Sequence, residues 1–463
     1  MLARLDHLVA LGVGALWLSP FYRSPMADFG YDVSDYEDVD PVFGTLADFD
    51  ALLAAAHVRG LRVLVDWVPN HTSDRHPWFT DPARRHFYVW RDEPNGWTAQ
   101  FRRGGPAWTR EEASGEVYLH SFLPAQPDLD WDEPAVEAAM HDTLRFWLRR
   151  GVDGFRMDVI YRIAKDPALG ENEPTRRHDQ DWTTMQARLA GIRRVLEEFG
   201  PDRMCVGELH LPTQGDVARY VNWPEGLHLA HNFRFLELPW SAAAFHASIT
   251  EFCAELAPDA WPAWCLNNHD YSRLATRHGA HAVRVAAMLL VTLRGTPFLF
   301  QGEELGLRDV PVSRERIVDV DGRDPQRAPM PWAPPSAAGP GAGFTTGAPW
   351  LPITRDAEDV NAAVQGDDPG SVLTLYRRLL ALRAEREELQ RGAMTFGDGG
   401  HPDVLAYRRG RRFAVALNFS AGPRPVTWPA GAWTRLSTHL DREAGTPAPG
   451  ELRGGEGVIA ELS

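Results

Sequence analysis

Short apolar runs alternate with amphipathic stretches along most of the chain. Leu2 to Leu11 carries apolar residues at helical spacing, and Gly14 to Leu18 follows as a short buried run closed by Ser19-Pro20. Ala47 to Arg59 is again helical and stops at Gly60, and Leu61 to Val68 reads as a second buried strand. After Asp130 the rhythm resumes with a helix over Glu133 to Arg150, a strand over Val152 to Met157, a helix over Trp182 to Phe199 and a strand over Met204 to Gly207. A strand near Leu229 to Phe233, a helix at Ala242 to Leu256, a strand at Trp264 to Asn267, a helix at His281 to Leu293, a strand at Pro297 to Gln301 and a last helix at Ser371 to Arg386 complete it. Strands and helices taking turns in this way predict an α/β fold, a TIM (β/α)8 barrel. Only seven strands are found, and the chain opens on a helix with no strand before it. The barrel is therefore expected to lack its first strand and to leave two edges unpaired.

Two departures from the alternation mark further domains. Asn70 to Asp130 is too long and too rich in Trp, Pro and Gly for a simple loop. After Arg391 the pattern changes to short alternating runs such as Val404 to Arg408 and Phe413 to Phe419. The expected organisation is barrel over 1–70, a small inserted domain over 71–131, the remaining barrel over 132–391 and an antiparallel β domain over 392–463. A Pro/Gly-rich excursion, Arg308 to Pro352, separates the last strand from the last helix.

Composition narrows the partners. With 48 Lys and Arg against 63 Asp and Glu the net charge is −15, which argues against nucleic acid or an anionic membrane as partner. No apolar run reaches the length of a membrane span, and the nearest, Val285 to Phe300, is broken by Arg294 and Gly295. Charges within Met1 to His7 are foreign to a signal peptide. Cys205, Cys253 and Cys265 show no disulfide or zinc spacing, so a reducing cytoplasm is the expected setting; a monomer or homodimer is expected. The 17 Trp and 36 Pro suit stiff, aromatic-lined pockets for hydroxylated ligands such as sugars.

The chemistry falls at strand ends. Arg156 and Asp158 are two apart on one strand and face the same way, a pair that alone fits a structural ion pair as well as a catalytic one. Asp66, Asn70 and His71 follow the second strand, Glu208 follows Val206-Gly207, and Asn268, His269 and Asp270 follow Trp264 to Asn267. Singly, each Asp or Asn fits a helix cap. Together they bring three acids to one barrel mouth, and two carboxylates flanking a bond are the equipment of glycoside hydrolysis. Asp158, ionised by Arg156, fits the nucleophile; Glu208, its proton affinity raised by neighbouring acids, fits the acid/base; Asp270 fits the stabilisation of developing charge.

Asp-Trp-Val-Pro-Asn-His (66–71), Gly-Phe-Arg-Met-Asp-Val (154–159), Gly-Glu-Leu-His (207–210) and Asn-Asn-His-Asp (267–270) resemble the four ordered signature regions of glycoside hydrolase family 13, the α-amylase family. Gln-Pro-Asp-Leu-Asp-Trp (126–131), Asp-Phe-Gly-Tyr-Asp (28–32), His-Pro-Trp-Phe (76–79) and Gly-Arg-Asp-Pro-Gln-Arg-Ala-Pro-Met-Pro-Trp (322–332) resemble its α-glucosidase and oligo-1,6-glucosidase branch. The resemblance implies a retaining, exo-acting α-glucosidase on short oligosaccharides, with Asp158, Glu208 and Asp270 in the roles just given. It implies that Arg156, His71 and His269 contact the nucleophile or the sugar hydroxyls, that Asp28 and Arg327 close the subsite around the glucose 4-hydroxyl, and that Tyr31 stacks on the ring. Phe101 and Phe122 are candidates for lining the pocket, with core packing of the inserted domain as the other reading. Val159 after the nucleophile resembles enzymes that accept α-1,6 bonds, whereas Ala164 to Leu169 resembles enzymes that favour α-1,4 bonds. No cofactor is implied, because the family's Ca2+/Mg2+ loop would lie upstream of Met1. Two rivals stand beside this: a transglycosylating or isomerising relative of the trehalose synthase or sucrose isomerase type, and a non-catalytic truncated scaffold.

Overall fold

The computed structural model describes residues 1–101 and 105–463. Seven parallel strands form one curled sheet in chain order: β1 (Ala15–Leu18), β2 (Arg62–Trp67), β3 (Gly154–Met157), β4 (Met204–Leu209), β5 (Leu229–Asn232), β6 (Ala263–Cys265) and β7 (Thr296–Phe298). Every residue of β3, β5 and β6 is buried, as a parallel sheet covered on both faces requires. This is the TIM-barrel architecture expected from the pattern, with seven strands as counted. The outer strands β1 and β7 are not paired with each other among the described residues. Between them lies a cavity of about 730 Å³ lined by Trp17, Leu18, Phe21, Phe298 and Leu299 among others.

Helices pack outside the sheet. Leu5–Leu11 ends at Gly12 with φ 94°, a conformation glycine adopts without strain, and lies against Val372–Glu385. A nearby tie from His7 Nε2 to Glu304 Oε1, 3.1 Å, fastens the first helix to the turn after β7. Among the helices that escape the sequence pattern is Gln214–Asn222, between β4 and β5. Thr213 starts it by accepting from Asp216 N while Asp216 reaches back, a capping box that stabilises a segment too short for its periodicity to stand out.

In the stretch after β2, Trp90–Arg91, Val117–Leu119 and Trp108–Arg110 form a three-stranded antiparallel sheet over a small core of Val89, Trp97, Trp108 and Leu119. Past the barrel, β8 (Met394–Gly397), β9 (Val404–Arg409), β10 (Phe413–Asn418), β11 (Ala432–Ser437) and β12 (Gly457–Leu462) make an antiparallel sheet ordered β8-β9-β10-β12-β11. Its central strand β10 is buried throughout and packs on Ala280–Thr292, where Thr292 Oγ1 and Tyr407 OH share a hydrogen bond of 2.6 Å. No helix among the described residues is long and apolar enough to cross a membrane.

Candidate active site

The carboxyl ends of β2, β3 and β4 stand side by side, and register aligns their charges. Asp66 on β2 pairs with Arg156 on β3, and Arg156 in turn pairs with Val206 on β4, two residues before Glu208. Arg156 is 1% exposed. Its Nη1 donates to Asp66 Oδ1 at 2.9 Å and to Asp158 Oδ1 at 2.8 Å, while its Nη2 donates to Glu208 Oε2. One guanidinium thus holds three buried carboxyls, which only a planar fork of donors can do.

The chain leaves β3 sharply. Val159 takes φ 33°, a left-handed conformation costly for a β-branched residue, and its N–H points at Glu208 Oε2, 3.2 Å away. Strain here is offset by a backbone donor delivered to a catalytic candidate. Glu208 Oε1 meets His210 Nε2 at 2.9 Å, and the His210 ring is stacked on Phe233 at 4.4 Å and 9°.

These contacts reverse the expected proton preference. Burial and the neighbouring Glu208 charge push Asp158 well above the usual carboxylate range. Burial acts on Glu208 too, but Arg156 and His210 overcome it and hold Glu208 well below that range. The two acids form a coupled dyad in which these charges favour the proton on Asp158. Counting negative neighbours along the sequence points the other way, because it weighs the acids and leaves out the donors. Asp66, wholly buried, is pushed up to about 7 by that burial against the pull of Arg156.

The second cluster comes from loops. Tyr31 OH donates to Asp66 Oδ2 at 3.1 Å and lies 2.8 Å from His269 Nε2, its ring parallel to the His269 ring at 5.7 Å. Burial pushes His269 down to about 4 and does the same to His71. Asp270 Oδ1 accepts from Arg323 Nη1 at 2.9 Å and Arg327 Nη2 at 3.1 Å. Asp28, 4% exposed, accepts from Gln126 Nε2 at 3.0 Å and from Arg323 Nη2 at 2.7 Å. The side chain that pairs with Asp28 is therefore Arg323. Arg327 instead binds Asp270, Asp319 and the His269 carbonyl, because its place at the end of the Asp324–Arg327 turn aims it at the loop after β6.

The inserted segment contributes to the same pocket. Gln126 Nε2 lies 3.1 Å from His71 Nε2, Phe122 packs on His71 at 5.2 Å, and Phe101 lies between Phe122 and the Arg323 guanidinium. Phe101 and Phe122 thus stand against site residues, outside the insert's own core. Sequence reasoning missed Arg323, His210 and Gln126 as site residues, although all three stand in motifs it singled out. Beside Glu208 opens a polar cavity of about 810 Å³ lined by Gln100, Tyr161, Arg162, Trp182, His210 and Phe233 among others. No three His, Cys, Asp or Glu side chains are grouped to hold a metal ion among the described residues.

Acids at the mouth of a parallel barrel, gathered on one arginine and walled by aromatic rings, define a carbohydrate-cleaving barrel enzyme. The family model for the α-amylase catalytic domain matches residues 1–392, and the chain belongs to that family and is a glycoside hydrolase. It is 39% identical over 444 residues to a probable α-glucosidase of Rhizobium meliloti, covering 85% of this chain and 79% of that protein. Against an oligo-1,6-glucosidase of Parageobacillus thermoglucosidasius it is 34% identical over 488 residues, covering 91% and 85%. Among solved structures it is similar to an α-glucosyl transfer enzyme, TM-score 0.91 and 37% identity over 100% of this chain and 94% of that one. A trehalulose synthase gives a TM-score of 0.92 at 30% identity, with the same coverage.

Proposed function

We propose that the enzyme is a retaining, exo-acting α-glucosidase that releases glucose from short oligosaccharides of the maltose or isomaltose type. The observation that carries this reading is the single Arg156 guanidinium holding Asp158 on one nitrogen and Glu208 on the other. Carboxyls so gripped sit close together, which suits the spacing of about 5–5.5 Å in retaining enzymes rather than the about 6.5–9.5 Å that admits a water in inverting ones.

In the first step an Asp158 oxygen bonds to the anomeric carbon, the glycosidic C–O bond breaks, and Glu208 gives its proton to the departing oxygen. In the second, water attacks that carbon, its proton passes to Glu208, and the Asp158 carboxylate leaves. The dyad needs its one proton on Glu208 when the bond breaks, whereas the pocket's own charges favour Asp158. Binding the sugar must therefore shift it. Asp270, held by two arginines, faces the charge that develops on the ring. His71, His269, Tyr31 and Asp28 supply the polar and aromatic walls that grip the terminal sugar.

A second reading is transfer or isomerisation, in which a sugar hydroxyl replaces water in the second step. The polar cavity beside Glu208 favours it, since an acceptor sugar fits there, and so does likeness to proteins described as glucosyl-transfer and trehalulose-forming enzymes. Glucose release from nitrophenyl α-glucoside tests the main reading, and chromatography of products from maltose, isomaltose and sucrose separates the two. Asp158→Asn is expected to lower turnover by about four orders of magnitude or more. Unchanged glucose release from that variant overturns the mechanism.

A further inference from the structure

The two oxygens of Glu208 are held in different ways. Oε2 accepts one N–H from Arg156 Nη2 and a second from the Val159 backbone at 3.2 Å. Two donors occupy both lone pairs of that oxygen, so a proton added to the carboxyl goes to Oε1. Among the described residues the nitrogen that reaches Oε1 is His210 Nε2, 2.9 Å away. Glu208 and His210 stand two apart at the end of β4, so their side chains face the same way. The His210 ring is fixed in turn, stacked flat on Phe233 with 4.4 Å between centres and 9° between planes, and tilted against Tyr161 at 6.4 Å. With its side chain 35% exposed, His210 also lines the polar cavity of about 810 Å³, so Oε1 and the cavity meet at this one imidazole.

We propose that His210 is a positioning residue for the acid/base, turning Glu208 Oε1, the oxygen that carries the transferable proton, toward the polar cavity and holding it there through both steps. The proposal deepens the glucosidase reading and rests on it. An imidazole suits the task because it both donates and accepts. Against the carboxylate, Nε2 donates its N–H to Oε1; against the protonated acid, a neutral ring with its hydrogen on Nδ1 accepts from Oε1. The Arg156 guanidinium has donors only and cannot follow that change. In bond breaking the Oε1 proton passes to the departing oxygen as the C–O bond opens, and in the second step Oε1 takes one back from the attacking water. His210 itself gains and loses no proton over the cycle. Without it the acid keeps its strength and loses its aim. That loss falls on leaving groups that need a proton, as a sugar alkoxide does, and spares those that depart as stable anions, as dinitrophenolate does.

The test compares His210→Phe and His210→Gln with the wild type on maltose and on dinitrophenyl α-glucoside, reading kcat/KM because it reports the bond-breaking step. His210→Phe keeps a ring on Phe233 and removes both nitrogens. It is expected to lower kcat/KM about 100-fold on maltose and less than about fivefold on dinitrophenyl α-glucoside. His210→Gln, whose amide donates and accepts, is expected to recover about tenfold of the loss on maltose. Equal losses on the two substrates overturn the proposal, as does wild-type cleavage of maltose by His210→Phe. A second measurement needs no turnover. Thermal unfolding of the wild type, His210→Phe, Glu208→Ala and the double variant is expected to show losses that do not add, because each single change removes the same contact. Strictly additive losses refute the contact. A wild type that splits no glucoside sinks the glucosidase reading alone, and the unfolding cycle still decides whether His210 holds Glu208.

Discussion

Two charged clusters meet at the mouth of the barrel, one raised on paired strands and the other assembled from loops. Asp66, Arg156 and Glu208 stand on β2, β3 and β4, whose backbone hydrogen bonds set their spacing before any side chain makes contact. Asp28, Asp270, Asp319, Arg323 and Arg327 come from the segments after β1, β6 and β7, and ion pairs between side chains are what join them. The sheet can carry an unfavourable concentration of buried charge because the strands cannot drift apart to relieve it. The loops can, so their cluster stays together only as far as its arginines hold it. The strand cluster accordingly suits bond breaking, which tolerates little displacement, and the loop cluster suits gripping a sugar.

The hardest test of this contrast is to remove the hub of the strand cluster. Arg156→Gln leaves Asp66, Asp158 and Glu208 buried around a neutral side chain. Losing the partner of buried ion pairs costs ~3–5 kcal/mol of stability. kcat/KM should fall by about three orders of magnitude or more, because the acids lose both orientation and charge balance. Urea unfolding beside steady-state kinetics measures both, and a small loss in either would show that the strands alone suffice.

Asp66 sharpens the same comparison through pH. Its carboxyl is raised to about 7 in the fold by burial, against an ordinary value of about 3.9 in the unfolded chain. The folded state therefore binds the proton more tightly, and the stability this lends is complete below about 4 and lost as pH rises through about 7. Asp66→Asn cannot lose a proton. Melting temperatures followed from pH 4 to 8 should show the wild type falling relative to Asp66→Asn up to about pH 7 and then running parallel. A constant difference across the range would mean that Arg156 keeps Asp66 ionised throughout.

The two clusters also differ in how far the sequence reveals them. Period-two alternation places Arg156 and Asp158 on one face, and short apolar runs ending in an acid mark Asp66 and Glu208 at strand ends, so the strand cluster was legible residue by residue. Seven strands were countable for the same reason. The loop cluster was legible in its members Asp28, Asp270 and Arg327 but not in its pairing. Which of Arg323 and Arg327 reaches Asp28 depends on Gly322 at φ 77° and on the short turn over Asp324–Arg327, and no periodicity encodes either. Proton preference was illegible too, since the donors on Glu208, a strand arginine and His210, act through distances that only the fold supplies. The left-handed Val159 belongs with these, because nothing in an apolar run marks where a strand must break.

The smallest expected effect tests the outer wall of the loop cluster. Phe101 carries no charge and makes two ring contacts, Phe122 at 5.2 Å and the Arg323 guanidinium at 4.7 Å. An arginine over an aromatic face is worth ~0.5–2 kcal/mol depending on how far water is excluded, and Phe101 is only half-buried, so the lower part of that range applies. Phe101→Leu keeps the apolar bulk and removes the ring. KM should rise about two- to fivefold with kcat nearly unchanged, because Arg323 keeps its three carboxylates and loses only its ceiling. The acidic limb of kcat/KM should stay in place, since the charge beside Asp28 remains. If Phe101→Leu moves that limb, the ring and not the ion pairs holds Arg323 over Asp28, and the loop cluster would depend on the inserted segment as much as on its own charges.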